Sequence, residues 1–99
     1  MTGADPAAAS GVLRLRVRVR GLVQGVGFRD AIRLEAEREG VAGWARNRDD
    51  GSLEALLEGP EAGVARVLGF CHVGPPGARV EAVTADPEPP AGLGRFEVR

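Results

Sequence analysis

Gly21-Leu22-Val23-Gln24-Gly25-Val26-Gly27-Phe28-Arg29 joins two stretches of different periodicity, and that change sets the architecture. Before it, Leu13, Leu15, Val17 and Val19 alternate with Arg14, Arg16, Arg18 and Arg20, the pattern of a half-buried strand. After it, Phe28, Ile32 and Ala36 recur at helical spacing, so residues 28–39 predict a helix with one apolar stripe, ended by Gly40. The glycines at 21, 25 and 27 admit φ > 0 at little steric cost. Consecutive N–H groups can then turn inward as a nest. The following helix aims its own unpaired N–H groups and the positive end of its dipole at the same point. Arg29, in the first turn, adds a planar and permanently charged fork suited to phosphate oxygens. These residues predict a site for a small phosphorylated ligand.

Outward from the loop, residues 41–48 read as a second strand, and Asp50-Gly51 marks a hairpin. Residues 52–58 read as a third strand with Leu53, Ala55 and Leu57 on one face. Gly59-Pro60-Glu61 opens a second helix, proline standing where a helix tolerates it. Its stripe is Val64, Val67, Leu68 and Cys71, while Gly63 and Gly69 make it depend on packing. Gly74-Pro75-Pro76-Gly77 breaks the chain before a fourth strand at 78–86, and a short terminal strand falls at 95–99. The order β-α-β-β-α-β, with one extra strand, predicts an α+β, ferredoxin-like split βαβ fold: an antiparallel sheet with two helices on one face. Residues 1–11 read as a flexible tail and 12–99 as a single domain.

A chain of 99 residues is near the lower end of what buries a self-sufficient core. Its net charge of −1 gives no basic field to attract nucleic acid. All 13 basic residues are Arg, a bias we read as genomic, so the arginine alternation at 14–20 is expected to be the solvent face of a strand. The single Cys71 excludes an internal disulfide and offers no metal-ligand pair, which points to a reducing, cytoplasmic setting. No apolar run is long enough to span a membrane, and the N-terminus lacks the features of a signal peptide.

Two further runs stand at fixed distances from the first: Gly43-Trp44-Ala45-Arg46-Asn47 with Asp50-Gly51-Ser52-Leu53-Glu54, and, more weakly, Glu58-Gly59-Pro60 with Gly74-Pro75-Pro76-Gly77-Ala78-Arg79-Val80. With these, the sequence from Val12 onward resembles the acylphosphatase family. The resemblance implies a ferredoxin-like fold and hydrolysis of the carboxyl-phosphate bond of acyl phosphates, with no metal or organic cofactor. It also implies that Arg29 binds phosphate together with the loop amides of Val23, Gln24, Gly25, Val26, Gly27 and Phe28. Asn47 is then the residue that positions the attacking water. The expected partner is a small-molecule acyl phosphate, with no nucleic acid and no membrane, and the chain is expected to act as a monomer.

The residue types suit that chemistry. The leaving carboxylate has a conjugate acid of pKa about 4 and needs little protonation at neutral pH. Phosphoryl transfer then asks for positioning and for charge stabilisation on the equatorial oxygens. An Asn amide, both donor and acceptor, can hold a water in line, and a phosphate oxygen of the substrate can take its proton. Taken singly, the residues have plainer readings: a glycine loop as a tight turn, Arg29 as a surface ion pair, Asn47 as a strand end. Trp44 reads as core, Cys71 as an inert buried thiol, His72 as a helix-end residue and Asp49-Asp50 as a turn. The loop is neither a dinucleotide fingerprint nor a P-loop, since neither ending is present. The competing functions are an anion-binding module without turnover and an RNA-recognition module, the latter short of sheet aromatics.

Overall fold

The computed structural model describes residues 11–99, so the expected tail, Gly11 apart, lies outside the described residues. The alternating segment forms β1 (Val12–Leu22), followed by α1 (Phe28–Glu39), β2 (Ala42–Asn47), β3 (Leu53–Pro60), α2 (Glu61–Val73), β4 (Arg79–Glu88) and β5 (Phe96–Val98). The strands lie in one sheet in the order β4-β1-β3-β2-β5. Leu15, Val17 and Val19 of β1 and Leu53, Ala55 and Leu57 of β3 turn to the helices, where Phe28, Ile32, Ala36, Val64, Val67 and Cys71 close one core. Burying a side chain such as Ile32 or Leu57 contributes roughly 2–3 kcal/mol each.

Helix α1 ends where Gly40 enters the left-handed region, its N–H returning to the Ala36 and Glu37 carbonyls. Helix α2 starts after Pro60, as its sequence demands. Burial raises the Cys71 thiol to about 12, which keeps it protonated and inert, as expected.

Four strands pair antiparallel, but β5 runs parallel to β2, with Gly43 opposite Phe96 and Ala45 opposite Val98. The cause is where the chain re-enters. Strand β4 ends with Glu88 opposite Arg14, and Arg14 in turn lies opposite Glu58, the partner of Ala42 at the start of β2. A chain arriving at that end of β2 continues in the same direction. Glu58 fixes the crossing, its carboxylate accepting the N–H groups of Ala91, Gly92 and Leu93 at 2.8–2.9 Å.

The other sheet face corrects one expectation and adds to another. The β1 arginines do line the face that no helix covers, as expected, but they are paired there rather than free: Arg14 and Arg16 bind Glu54, Glu58 and Glu88, and the side chains of Glu54 and Glu58 are each only 4% exposed. Arg46 and Arg48 close on Glu54 as well. Trp44 is half-buried on this face rather than in the core, with the guanidiniums of Arg99, Arg46 and Arg16 at 4.9, 5.4 and 5.7 Å from its ring centre. No helix covers this face, so charge and an aromatic ring shield the carboxylates instead.

Candidate functional site

Strands β1, β2 and β5 all run the same way, since β1 and β2 flank the antiparallel β3. Their C-terminal ends, the β2–β3 hairpin and the start of α1 therefore meet at one edge of the sheet. That edge carries the glycine loop, Asn47 and the end of β5.

The loop is anchored by its apolar members and open at its glycines. Val23 and Phe28 are 1% and 2% exposed, and Val26 packs against the core. Phe28 meets Phe70 edge-on at 6.1 Å between ring centres. Gly25 and Gly27 both have φ of 76°, in the left-handed region that glycine alone enters cheaply. No atom lies within 4 Å of where a Cβ would stand at either, so the space over both is open. Among the described residues, no main-chain N–H of residues 24–30 donates to a main-chain oxygen. Gly27 caps α1 without any side-chain acceptor. A row of unpaired donors at a helix start, with open space above glycines, is a local field suited to an anion.

Arg29 lies in the first turn of α1, its Nη1 donating to the main-chain oxygen of Arg99 at 2.8 Å. One arm of the guanidinium is thus held at the end of β5, and its remaining N–H groups are unengaged among the described residues. This tether spans seventy residues and has no signature in the sequence.

Asn47 is the last residue of β2, half-buried, opposite Leu53 in the ladder. It lines a cavity of about 330 Å³ with Arg46, Arg48, Asp49 and Asp50. The hairpin is closed by Arg48 N–H on the Ser52 carbonyl at 2.8 Å and Gly51 N–H on the Arg48 carbonyl at 3.1 Å. Asp50 accepts from the Ser52 hydroxyl and N–H, which hold its carboxyl below the usual range. Asp50 is thereby a turn residue, as read, and not half of a catalytic pair. The Gln24 side chain connects the two halves of the edge. Its Nε2 donates to the Arg48 carbonyl at 2.7 Å and to the Ser52 carbonyl at 3.0 Å. Sequence reading assigned Gln24 only a backbone amide and missed this side-chain bridge.

A larger cavity, about 470 Å³, lies at the opposite end of the sheet, against Val12, Val41, Glu58, Leu93 and Phe96. Its carboxylate is already engaged by N–H groups, so size does not make it the reactive site. Among the described residues no three His, Cys, Asp or Glu side chains cluster as a metal centre requires, and no helix is long and apolar enough to cross a membrane.

The acylphosphatase family model matches residues 15–98. The acylphosphatase of Rubrobacter xylanophilus is 54% identical over 87 residues, covering 87% of this chain and 79% of that one. The acylphosphatase of Gloeobacter violaceus is 52% identical over 86 residues, covering 87% and 92%. The crystal structure of acylphosphatase from Bacillus subtilis superposes with a TM-score of 0.85 at 38% identity, covering 88% of this chain and 98% of that one. With the family model spanning nearly the whole described chain and relatives above half identity, this protein belongs to the acylphosphatase family, a family of enzymes.

Proposed function

We propose that the protein hydrolyses acyl phosphates to a carboxylate and inorganic phosphate, using its own N–H groups and Arg29 in place of a metal ion. The observation that carries this reading is the unpaired N–H row at residues 24–30 beside Arg29, on the same sheet edge as Asn47. The phosphate sits against the amides of Val23, Gln24, Gly25, Val26, Gly27 and Phe28, with Arg29 on its equatorial oxygens. Asn47 holds a water in line with the scissile bond. Water oxygen attacks phosphorus, the bond to the acyl oxygen breaks with its electron pair leaving as carboxylate, and a phosphate oxygen takes the water proton. A phosphate monoester, with a far more basic leaving group and no general acid at this edge, is turned over poorly. A single cysteine, which can form no internal disulfide, is in line with a reducing, cytoplasmic setting.

Hydrolysis of benzoyl phosphate, followed by ultraviolet absorbance with a chelator present, tests this. The expected result is turnover unaffected by the chelator and at least about 100-fold slower in Arg29→Ala, since a lost charge contact to the transition state is worth that much. Absence of turnover with retained binding of inorganic phosphate makes the protein an anion-binding module. Turnover abolished by the chelator overturns the metal-free mechanism.

A further inference from the structure

We propose that Gln24, through its side chain, is the positioning residue that sets Asn47 against the phosphate cradle; the inference rests on the acyl phosphate reading above. The two halves of the site sit beyond the last rungs of the ladder. Pairing of β1 with β3 ends at Val19 and Leu53, and pairing of β2 with β3 ends at Asn47 and Leu53. Past those rungs the cradle and the hairpin are separate loops. Arg20 and Asp50 approach to 3.7 Å, but both are about half exposed, and such a pair fixes little. Gln24 spends both hydrogens of its amide on the hairpin carbonyls of Arg48 and Ser52, at 2.7 and 3.0 Å. Arg48 directly follows Asn47, so the clamp grips the main chain one residue from the group that holds water.

The geometry also says why this residue is Gln. Two carbonyl oxygens converge on one nitrogen, and only a group with two donors satisfies both. A carboxylate of the same shape would face their lone pairs with a negative charge. Its protonated form, with a single O–H donor, restores one of the two bonds. The cradle itself is main chain, anchored by the buried Val23 and Phe28, and does not depend on this amide. The clamp thus acts on water alignment and leaves phosphate affinity to the loop.

The test is benzoyl phosphate kinetics and inhibition by inorganic phosphate for the full chain, Gln24→Ala, Gln24→Glu, Asn47→Ala and the Gln24→Ala/Asn47→Ala double variant. Gln24→Ala is expected to lower kcat by about tenfold or more, because misplacing a reacting atom by an ångström costs on that order. Phosphate inhibition is expected to stay within about twofold of the parent, since the cradle is unchanged. The double variant is expected to be no slower than Asn47→Ala, because Gln24 works through Asn47 and the two losses do not add. Gln24→Glu is expected to regain kcat as pH falls toward the ordinary glutamate pKa of about 4.3.

Equal kcat in Gln24→Ala and the parent overturns the proposal. So do additive losses in the double variant, or phosphate affinity falling in step with kcat, since each makes Gln24 a support of the loop alone. If Gln24→Ala does not fold, Gln24→Glu and its pH profile decide, and failure of both to fold assigns Gln24 a structural role. A parent protein with no turnover of benzoyl phosphate fails at the functional reading itself, which none of these variants touches.

Discussion

Asn47 closes β2 one residue before the carbonyl that Gln24 holds, and its own amide is unengaged among the described residues. A half-buried Asn with free donor and acceptor, at the edge of a small polar cavity, has the equipment to orient one water. On the proposed reading, removing that amide removes nothing the phosphate touches. Asn47→Ala is therefore expected to lower kcat by about 100-fold while the inhibition constant for phosphate moves less than about twofold. Steady-state kinetics with phosphate as competitor separate the two quantities. Weakened phosphate binding with kcat intact would remove Asn47 from the water and place it in the cradle. Arg29→Ala is expected to differ, lowering kcat and weakening phosphate binding together, since on the proposed reading it removes a contact made in both the ground state and the transition state. The sequence alone supplied both names, Arg29 from its place in the first helical turn and Asn47 only by resemblance. It could not supply the Gln24 bridge or the Arg99 tether, because each joins segments whose proximity is created by the sheet order.

Helix α2 carries two glycines that look alike in the sequence and differ in the fold. A Cβ at Gly63 would stand 2.6 Å from the main-chain oxygen of Glu39, so the helix there lies directly against the end of α1. A Cβ at Gly69 would meet nothing within 4 Å. Gly69→Ala is expected to stabilise the protein by roughly 0.5–1 kcal/mol, from the lower helix propensity of glycine. Gly63→Ala is expected to destabilise it by roughly 1–3 kcal/mol, because the helix pair must move apart. Urea unfolding of the two variants measures both signs, and two shifts of the same sign would refute this packing. What was legible at this scale is what is local: the alternation of β1, the span of α1, the Asp50-Gly51 turn and the Pro60 start of α2. Trp44 was misplaced because a strand pattern says which residues share a face, not which face the helices cover. The direction of β5 was illegible for a related reason. Three residues carry no directional signal, and the choice follows from where β4 releases the chain.

Across the whole molecule, the uncovered face of the sheet is held by carboxylates that depend on arginine and main-chain donors. Burial alone would push Glu54 up, but hydrogen bonds from Arg46, Arg16 and Arg48 outweigh it and hold the group at about 2. Burial likewise raises Glu58, and the Ala91, Leu93 and Gly92 N–H groups with Arg14 bring it below its usual value. Hydrogen bonding from Arg16 lowers Glu88, against a smaller opposing effect of burial. A carboxyl held low in the folded chain binds a proton less readily there than in the unfolded one. Its stabilisation is complete above the ordinary carboxyl pKa and drains away as pH falls through the folded value. For Glu54 that window runs from 4.5 down to about 2. The melting temperature is thus expected to be flat from neutral pH to about 5 and to fall steadily below it, by the linkage of protons to folding. Glu54→Gln loses hydrogen bonds to charged groups, discounted because its arginine partners are half exposed, so it is expected to cost roughly 1–2 kcal/mol at pH 7. That corresponds to a melting point lower by roughly 5–10 °C in a domain this small. The variant should also fall less steeply in acid and meet the parent near the bottom of the window, where Glu54 of the parent is itself protonated. Thermal melts of both proteins from neutral pH down to about 2 cover the range set by the folded value. Parallel curves that never converge would place the acid sensitivity in other carboxyls and leave this buried glutamate a packing residue. Convergence would mean that the face opposite the helices is closed by charge, as the helix face is closed by apolar contact.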